Sequence, residues 1–221
     1  MKKMYVALVA LIITTAGFSQ ASIGVQVIGN ASNLSFKSEQ VPDSKKSFQP
    51  AFGAGIVADL PLGGNLSLRP SLNYLQKKSS IEFSDDDENV TKLKTSLNYL
   101  ELPVDFVYTV PGKSVSLYFG AGPSIGYGIS GKMKYSGLVE GEDGEPVQAE
   151  ESVDAFKKED KGGAGLGNLD ISANVIAGLK FNSGLFVHAG YLGSIRNLAA
   201  EGGTYKNYGL QLTLGYMFSK N

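Results

Sequence analysis

The chain has no cysteine and a single histidine, His188. Without thiols there can be no disulfide, no thiolate metal site and no catalytic cysteine, and one imidazole excludes a metal site built from several histidines. The 20 basic and 21 acidic side chains nearly cancel, for a formal net charge of −1. That balance excludes the strongly basic surface typical of nucleic-acid-binding proteins. We therefore expect no metal, no cofactor and no nucleic-acid partner.

Tryptophan is also absent, and after the N-terminal residues no window of 18 or more apolar residues occurs, so the sequence predicts no transmembrane helix. The N-terminus has the features of an export signal. Lys2 and Lys3 precede a short apolar run at 6–13, and Ser19 and Ala21 occupy the −3 and −1 positions of a cleavage site. We predict a cleaved signal peptide at 1–21 and a mature chain at 22–221, with an N-terminal membrane anchor as the alternative.

Glycine and aromatic residues are abundant, with 28 Gly, 11 Tyr and 11 Phe, which favours a β-rich architecture. Apolar and polar residues alternate with a period of two throughout 115–135. This stretch is much longer than a globular strand of roughly 5–6 residues, whereas a tilted membrane strand needs about 9–11. The same alternation recurs at 52–60, 66–74, 169–181, 185–196 and 207–218.

Two further segments alternate less regularly. Residues 22–36 lose their phase near Gly29 and Asn30. Within 93–109, Tyr99 belongs to one apolar phase and Leu100 begins the other. A shift of this kind predicts a β-bulge at Tyr99–Leu100. With these two segments the sequence predicts eight strands.

The connections between these strands alternate in length. The short ones lie near 61–64, 111–113 and 182–184, and the long ones near 38–49, 84–92, 136–168 and 197–204. This rhythm is typical of outer-membrane barrels. We predict an all-β fold, an eight-stranded antiparallel transmembrane β-barrel with short periplasmic turns and longer outer loops, located in the outer membrane. A soluble β-sandwich is the alternative, but the strand length and the lack of charge on the apolar phase favour the barrel.

Two short motifs carry a family resemblance. Residues 99–106, Tyr-Leu-Glu-Leu-Pro-Val-Asp-Phe, resemble the Y-L-E-[IL]-P strand of PorT-like small outer-membrane barrels of Bacteroidetes, and residues 120–127 resemble the G-x-G-P-x-x-G strand that follows it there. The resemblance implies a barrel assembled in the outer membrane. The family's namesake serves a protein-secretion and gliding system, which implies envelope or secretion-complex proteins as partners. Many barrels end on an aromatic residue, whereas here Phe218 is followed by three further residues.

The polar phase of the predicted strands contains most of their ionisable residues. The interior of an eight-stranded barrel is just filled by side chains, so charges buried there must be paired. We predict a structural ion-pair network that plugs the lumen, with a gated pore or an internal ligand pocket as the alternative. Its members are Arg69, Glu101, Asp105, Asp170, Lys180, His188 and Arg196.

His188 is the obvious candidate for catalysis, but it belongs to the lumen phase and lies close to the turn at 182–184. Outer-membrane lipid hydrolases place their histidine on the lipid side near the outer rim, so both the face and the height are wrong. We predict no catalytic residue and a non-enzymatic, structural or interaction role, including an accessory role in secretion or envelope assembly. A transporter of small solutes or hydrophobic ligands is the alternative.

The longest connection, 136–168, is acidic over 140–160 and rich in glycine at 162–167. A segment of this composition between strands is typical of a surface loop that recognises partners. We predict that it is mobile and faces outward. The expected surroundings of the chain are outer-membrane lipid and lipopolysaccharide, and we expect a monomer.

Overall fold

The computed structural model describes residues 21–37, 44–86, 89–140, 146–199 and 204–218. Nearly all of the predicted signal peptide, residues 1–20, lies outside these ranges. No helix within them is long and apolar enough to cross a bilayer. The strands are β1 (Ser22–Lys37), β2 (Ser44–Gly63), β3 (Leu66–Asp86), β4 (Asn89–Val110), β5 (Val115–Glu140), β6 (Pro146–Asp154), β7 (Leu169–Phe181), β8 (Leu185–Ser194) and β9 (Thr204–Phe218).

Eight of these strands close into an antiparallel ring. The order is β1, β2, β3, β4, β5, β7, β8, β9, and β9 pairs back with β1. The prediction of an eight-stranded antiparallel barrel is confirmed. Strand β6 lies outside the ring, because it pairs with β5 over residues 132–140, whereas the ring partner β7 pairs with β5 over 115–127. Strand β5 therefore belongs to the barrel in its first half and to a projecting hairpin in its second half.

Tight turns join the strands at one end of the ring, as predicted. The β2–β3 turn uses Gly63 and Gly64 at φ 118° and 58°, a backbone region that is strained for residues with a side chain. The β7–β8 turn likewise uses Gly184 at φ 92°. The N-terminal end of β1 and the C-terminal end of β9 lie at this same end of the barrel, because Ile23 pairs with Phe218. The long connections consequently lie at the opposite, outer end.

Much of what the sequence predicts as outer loops is strand. Strand β2 begins at Ser44, and the β3–β4 hairpin extends to Asp86 and Asn89, so the predicted loops at 38–49 and 84–92 are shorter than expected. Strands β2–β5 have 20 to 26 residues, whereas β7–β9 have 10 to 15. Since a membrane strand needs about 9–11 residues, the β2–β5 wall projects by roughly ten residues beyond the span.

The outer surface of the ring is apolar over the lower part of the strands, whereas the inner surface combines polar and charged side chains with a buried apolar cluster of Val57, Val107, Tyr118, Ile176, Phe186 and Met217. On β1, Ile23, Val25 and Val27 are exposed, while Gln26 and Ile28 are buried. The alternation continues through Asn30, so the predicted loss of phase near Gly29 and Asn30 is wrong. The prediction failed because Ile28 is an apolar side chain that faces inward, where it packs against Leu75 and Leu192.

Strand β4 also keeps one phase along its length. Leu97, Tyr99 and Glu101 all face inward, and Leu100 faces outward. The predicted β-bulge at Tyr99–Leu100 is therefore wrong. The inward phase changes from polar to apolar because the interior itself becomes apolar towards the outer end of the barrel.

The irregularity that the sequence placed in β4 lies on β5 instead. Asn98 pairs with Ser130 and the next residue, Tyr99, pairs with Gly128, which leaves Ile129 as the extra residue. Because a bulge reverses the face of every residue that follows it, Met133 is buried and Lys134 is exposed. The continuous alternation predicted through residue 135 therefore ends at Ile129.

Candidate functional site

A layer of charged side chains crosses the lower part of the lumen, and we call it the Arg69 layer. Arg69 Nη2 and Lys180 Nζ both donate to Asp59 Oδ2, each at 3.1 Å. The Arg69 guanidinium lies 4.4 Å from the centroid of the Tyr118 ring, a favourable cation–π arrangement. Asp105 accepts a hydrogen bond from Asn174 Nδ2 at 2.7 Å. Arg69 and Lys180 thus share the carboxylate of Asp59, while the buried Asp105 carboxyl is held by the Asn174 amide.

His188 forms part of the wall around this layer. Its Nδ1 lies 2.9 Å from Tyr118 Oη, within hydrogen-bond distance. Its ring is stacked on Phe186 at an interplanar angle of 11° and a centroid distance of 6.1 Å. Phe186 is fully buried and His188 is 9% exposed. The imidazole is therefore held as a packing and hydrogen-bonding group within the lumen.

A second charge layer lies further towards the outer end. Lys77 Nζ donates to Glu101 Oε1 at 2.7 Å and to Asp170 Oδ2 at 3.1 Å. The ammonium group also lies 4.7 Å from the centroid of the Tyr99 ring. Asn207 Nδ2 donates to Asp170 Oδ2 at 3.1 Å. These contacts join β3, β4, β7 and β9 across the barrel. We call this group the Lys77 cluster, and it fills the upper lumen.

An apolar cap closes the lumen above this cluster. Phe156 lies edge-on to Tyr99 at a centroid distance of 5.8 Å, and the backbone of the connection is anchored by Leu166 N to Ala155 O and Gly167 N to Leu198 O, both 2.9 Å. The described part of the connection predicted as a mobile loop at 136–168 comprises the end of β5, strand β6, a 3-10 turn and this cap. Its buried cluster comprises Ile81, Leu93, Leu97, Tyr99, Met133, Ala155, Leu166, Leu198 and Tyr205.

The cavity beside the Arg69 layer is small. A cavity of about 30 Å³ lies beside Arg69, Asp105 and His188. It has room for about one or two water molecules, too little for a solute such as a sugar or an amino acid. Within the described ranges no cluster of three His, Cys, Asp or Glu side chains is placed to hold a metal ion.

Six of the seven candidate network residues lie inside the lumen, namely Arg69, Glu101, Asp105, Asp170, Lys180 and His188. The seventh departs from the expectation. Arg196 is exposed, because β8 ends at Ser194 rather than at the expected residue 196. The backbone N–H groups of Ile195 and Arg196 both donate to Ile171 O, so the regular ladder stops there and Arg196 lies in the connection that follows.

Sequence reasoning missed two members of these layers. Asp59 is the carboxylate that Arg69 contacts, and Lys77 is the cation that Glu101 contacts. The position of each residue along its strand was the signal that could have found them. Lys77 is an even number of residues from Arg69 on β3, and Asp59 is two residues from the inward-facing Val57 on β2. Residues of one phase lie on one face of a strand, so both belonged to the lumen.

Gly128 lies against the ring of Phe156 in the cap, and this contact can be tested by substitution. A Cβ atom built on Gly128 would overlap the ring of Phe156. We therefore expect Gly128→Leu to displace Phe156 and loosen the cap while the ring of strands stays closed. Trypsin should then cut faster at the exposed Lys157, Lys158 and Lys161. The rate should rise about tenfold if the substitution lowers the free energy of opening the cap by roughly 1.4 kcal/mol.

Gly64→Ala at the opposite end is the matched control. Nothing lies within 4 Å of a Cβ there, so this variant tests the effect of a small loss of stability alone, and it should leave cleavage at the cap unchanged. Equal cleavage rates in the wild type and in Gly128→Leu would mean that Phe156 does not hold the cap closed.

The sequence as a whole matches a known family. Residues 17–200 match the family model described as "Outer membrane protein beta-barrel domain". Among curated proteins, none matches the chain.

Solved structures with a similar fold include three small barrels. Neisserial surface protein A is 15% identical over 90% of this chain and 99% of its own, with a TM-score of 0.42. Ail of Yersinia pestis is 16% identical over 90% and 98%, with a TM-score of 0.38. The N-terminal β-barrel domain of OprF of Pseudomonas aeruginosa is 16% identical over 90% and 100%, with a TM-score of 0.31. These likenesses carry no functional argument.

The family match covers more than half of the chain, and the closed ring with its apolar outer surface is the architecture that this family name describes. The chain belongs to the outer membrane protein β-barrel domain family and is an outer-membrane β-barrel.

Proposed function

We propose that the protein is a non-enzymatic barrel with a structural or interaction role, which passes no solute through its lumen and presents its projecting outer sheet to partners. The observation that carries this proposal is the closure of the lumen at three successive levels. The Arg69 layer, the Lys77 cluster and the apolar cap lie one above the other. His188, packed against Phe186 inside the closed lumen, supports the absence of a catalytic role.

Opening such a lumen would be costly. Breaking a buried ion pair by removing one partner costs about 3–5 kcal/mol, and a permeating ion would have to disrupt both charge layers. The side chains of Lys77 and Asp170 are 2% and 0% exposed. The interior at this level is therefore filled by buried, paired charges, in contrast to wide barrels that leave an aqueous channel.

Single-channel recording in planar bilayers tests the closed lumen. We expect the refolded wild-type barrel to insert without producing conductance steps. An open porin inserted into the same bilayer is the control that shows the recording detects open barrels. Regular conductance steps from the wild-type protein would contradict the closed lumen and would favour a pore.

The proposal also concerns the proteins that the barrel would bind in an interaction role. The likeness of residues 99–106 and 120–127 to PorT-like strands motivates an accessory role in protein secretion or envelope assembly. A mild-detergent pull-down of the tagged barrel from native outer membranes tests this role. Reproducible recovery of large secretion or assembly components supports it, and a barrel that is recovered alone argues against it.

A hydrophobic-ligand transporter is the second candidate, and one observation favours it. An apolar groove of about 240 Å³ lies on the lipid-facing wall between Ile56, Pro70 and Leu102. Val57 and Ser71 border both this groove and the internal cavity. Proline has no N–H for the ladder, and the β3–β4 pairing skips from Pro70–Val104 to Asn73–Glu101, so the ladder is interrupted beside the groove.

Transfer of a fluorescent fatty acid into vesicles that contain the barrel distinguishes this second candidate. Faster transfer in the presence of the wild type, abolished when Ile56→Trp fills the groove, would favour transport along the wall. Ile125→Trp, another exposed position on the lipid-facing surface, is the matched control. Transfer at the rate of empty vesicles would leave the closed interaction barrel as the better account.

A further inference from the structure

Four lysines share the outward face of the projecting wall. Lys94, Lys132 and Lys134 are exposed and Lys78 is half-buried. They lie on the phase opposite to the buried Lys77, Leu93, Thr95 and Met133, and they form the lysine patch. Among the described residues none of the four takes part in an ion pair, whereas their neighbour Lys92 contacts Glu82 at 3.0 Å.

The patch concentrates like charges on adjacent strands. Lys94 of β4 and Lys134 of β5 are direct cross-strand partners, an arrangement that destabilises a sheet. The acidic residue opposite Lys132 is Asp154. Its Oδ1 already accepts hydrogen bonds from the backbone N–H groups of Phe156 and Lys157 at 2.9 and 3.1 Å, so it serves the turn into the cap. Glu150, opposite Ser136 on β6, and Glu82, which is paired with Lys92, also border the patch, but among the described residues no carboxylate forms an ion pair with its four ammonium groups.

The height of the patch places it at the outer boundary of the headgroup layer of the membrane. Below it, Tyr74, Leu100 and Tyr127 are exposed at the upper edge of the apolar band. Lys78 is four residues beyond Tyr74, about 13 Å along the strand at roughly 3.3 Å per residue and about 10 Å along the membrane normal for a strand tilted by about 40°. The headgroup layer is about 5–8 Å thick, so the Cα atom of Lys78 lies just above it, and Lys132 shares its ladder row. Lys94 and Lys134 lie one inward–outward repeat further out, about 5 Å higher along the normal, and their long side chains can reach back down towards the headgroups.

A polar row separates the apolar band from the patch. Gln76 donates to Asn98 at 3.2 Å, and Asn98 donates to Ser130 at 2.9 Å. These amides and the hydroxyl mark where the surroundings of the wall change from hydrocarbon to polar headgroups. The ammonium groups of the patch begin immediately beyond this row, where the outer leaflet presents its headgroups.

We propose that the lysine patch binds the phosphate groups of a phosphorylated glycolipid in the outer leaflet. Lysine ammonium groups bind phosphate as point charges, and clusters of cations beside a bilayer attract anionic lipid. An anion bound between Lys94 and Lys134 would relieve their mutual repulsion. This inference concerns the outer wall and is independent of whether the lumen conducts.

Native mass spectrometry of the barrel in neutral detergent, titrated with lipid A, tests the proposal. The test variant is Lys94→Gln/Lys132→Gln/Lys134→Gln, and the matched control is Lys157→Gln/Lys158→Gln/Lys161→Gln in the cap connection. One lysine near an anionic lipid surface contributes about fivefold to binding. We therefore expect the test variant to bind lipid A about a hundredfold more weakly than the wild type, and the control variant to bind like the wild type.

Dephosphorylated lipid A is the second arm and separates phosphate recognition from general lipid binding. We expect it to bind wild type and test variant equally and weakly. The proposal is overturned if the test variant retains wild-type affinity for lipid A, or if removal of the phosphates leaves the affinity of the wild type unchanged. Unchanged heat-modifiable migration of both variants on gels verifies that they are folded.

Discussion

Replacing Lys77 by methionine is expected to destabilise the barrel by about 3–5 kcal/mol, the usual cost of breaking a buried ion pair by removal of one partner. The carboxylates of Glu101 and Asp170 lie 2.7 and 3.1 Å from its ammonium group, and their side chains are 3% and 0% exposed. Without Lys77 both carboxylates would be left close together in the lumen. Methionine fills a similar volume, so the change tests charge rather than packing.

Urea titration of the barrel folded in detergent measures this effect, with the shift in migration of unboiled samples on gels as the signal. The chain has no tryptophan, so the usual fluorescence signal of barrel folding is not an option. The matched control is Lys78→Met, at the next position on β3, which faces outward without an ion pair among the described residues. Surface substitutions of this kind change stability by about 0.5 kcal/mol or less.

A triple variant tests whether the loss of stability in Lys77→Met comes from the unpaired carboxylates rather than from the change of side chain at position 77. In Lys77→Met/Glu101→Gln/Asp170→Asn no charge remains in the cluster, and replacing a whole buried ion pair is often close to neutral. We expect this variant to recover most of the stability that Lys77→Met loses. Equal stabilities of Lys77→Met and Lys78→Met would show that Lys77 does not neutralise a buried cluster.

The ring of eight strands was predictable because a two-residue period assigns each residue to one of two faces. On β9, for example, Leu210, Leu212 and Leu214 face outward, as their alternation with Gln211 and Thr213 predicts. The phase also brings Arg69, Glu101 and His188 to the lumen. Face assignment requires only local sequence, since the pleat alternates along every strand.

The partners across the lumen were not predictable in the same way. The phase places Asp170 in the lumen, but it does not reveal that Asp170 on β7 contacts Lys77 on β3 across the barrel. Which residues meet across a barrel depends on strand stagger and tilt, which are properties of the closed ring. Lys77 was missed because the apolar alternation ends at Tyr74, and the inward phase of Arg69 was not continued through residues 75–80, Leu-Gln-Lys-Lys-Ser-Ser.

The cap was missed for a related reason. Leu97 and Tyr99 occupy inward positions that the lumen rule expects to be polar, and this produced the false bulge in β4. They are apolar because Phe156 and Leu198, from connections far away in sequence, pack against them. Apolar residues within an acidic, glycine-rich connection were the available signal that this segment folds back over the barrel.

Placing a charge on the outer wall at mid-height is expected to cost about 2–4 kcal/mol, the range for Arg at the bilayer midplane of a membrane barrel. Leu212 is suited to this test. It is 62% exposed and lies near the middle of the outward run between Tyr208 and Phe218. Its ladder neighbours are Gly29 and Ala189, so Leu212→Arg would overlap no large neighbouring side chain and would report the medium outside the wall.

Reversible folding into phosphatidylcholine vesicles, followed by circular dichroism in a guanidinium titration, measures the cost of Leu212→Arg. Phe218→Arg is the matched control, because Phe218 lies at the end of the same outward run, where the cost of Arg falls to about 0–1 kcal/mol. On a soluble β-sandwich an exposed leucine borders water, and the same change would alter stability by about 0.5 kcal/mol or less. A cost for Leu212→Arg no larger than that for Phe218→Arg would contradict the assignment of this surface to lipid. A cost several-fold larger would show that Leu212 lies within the hydrocarbon layer and that Phe218 lies nearer to its edge.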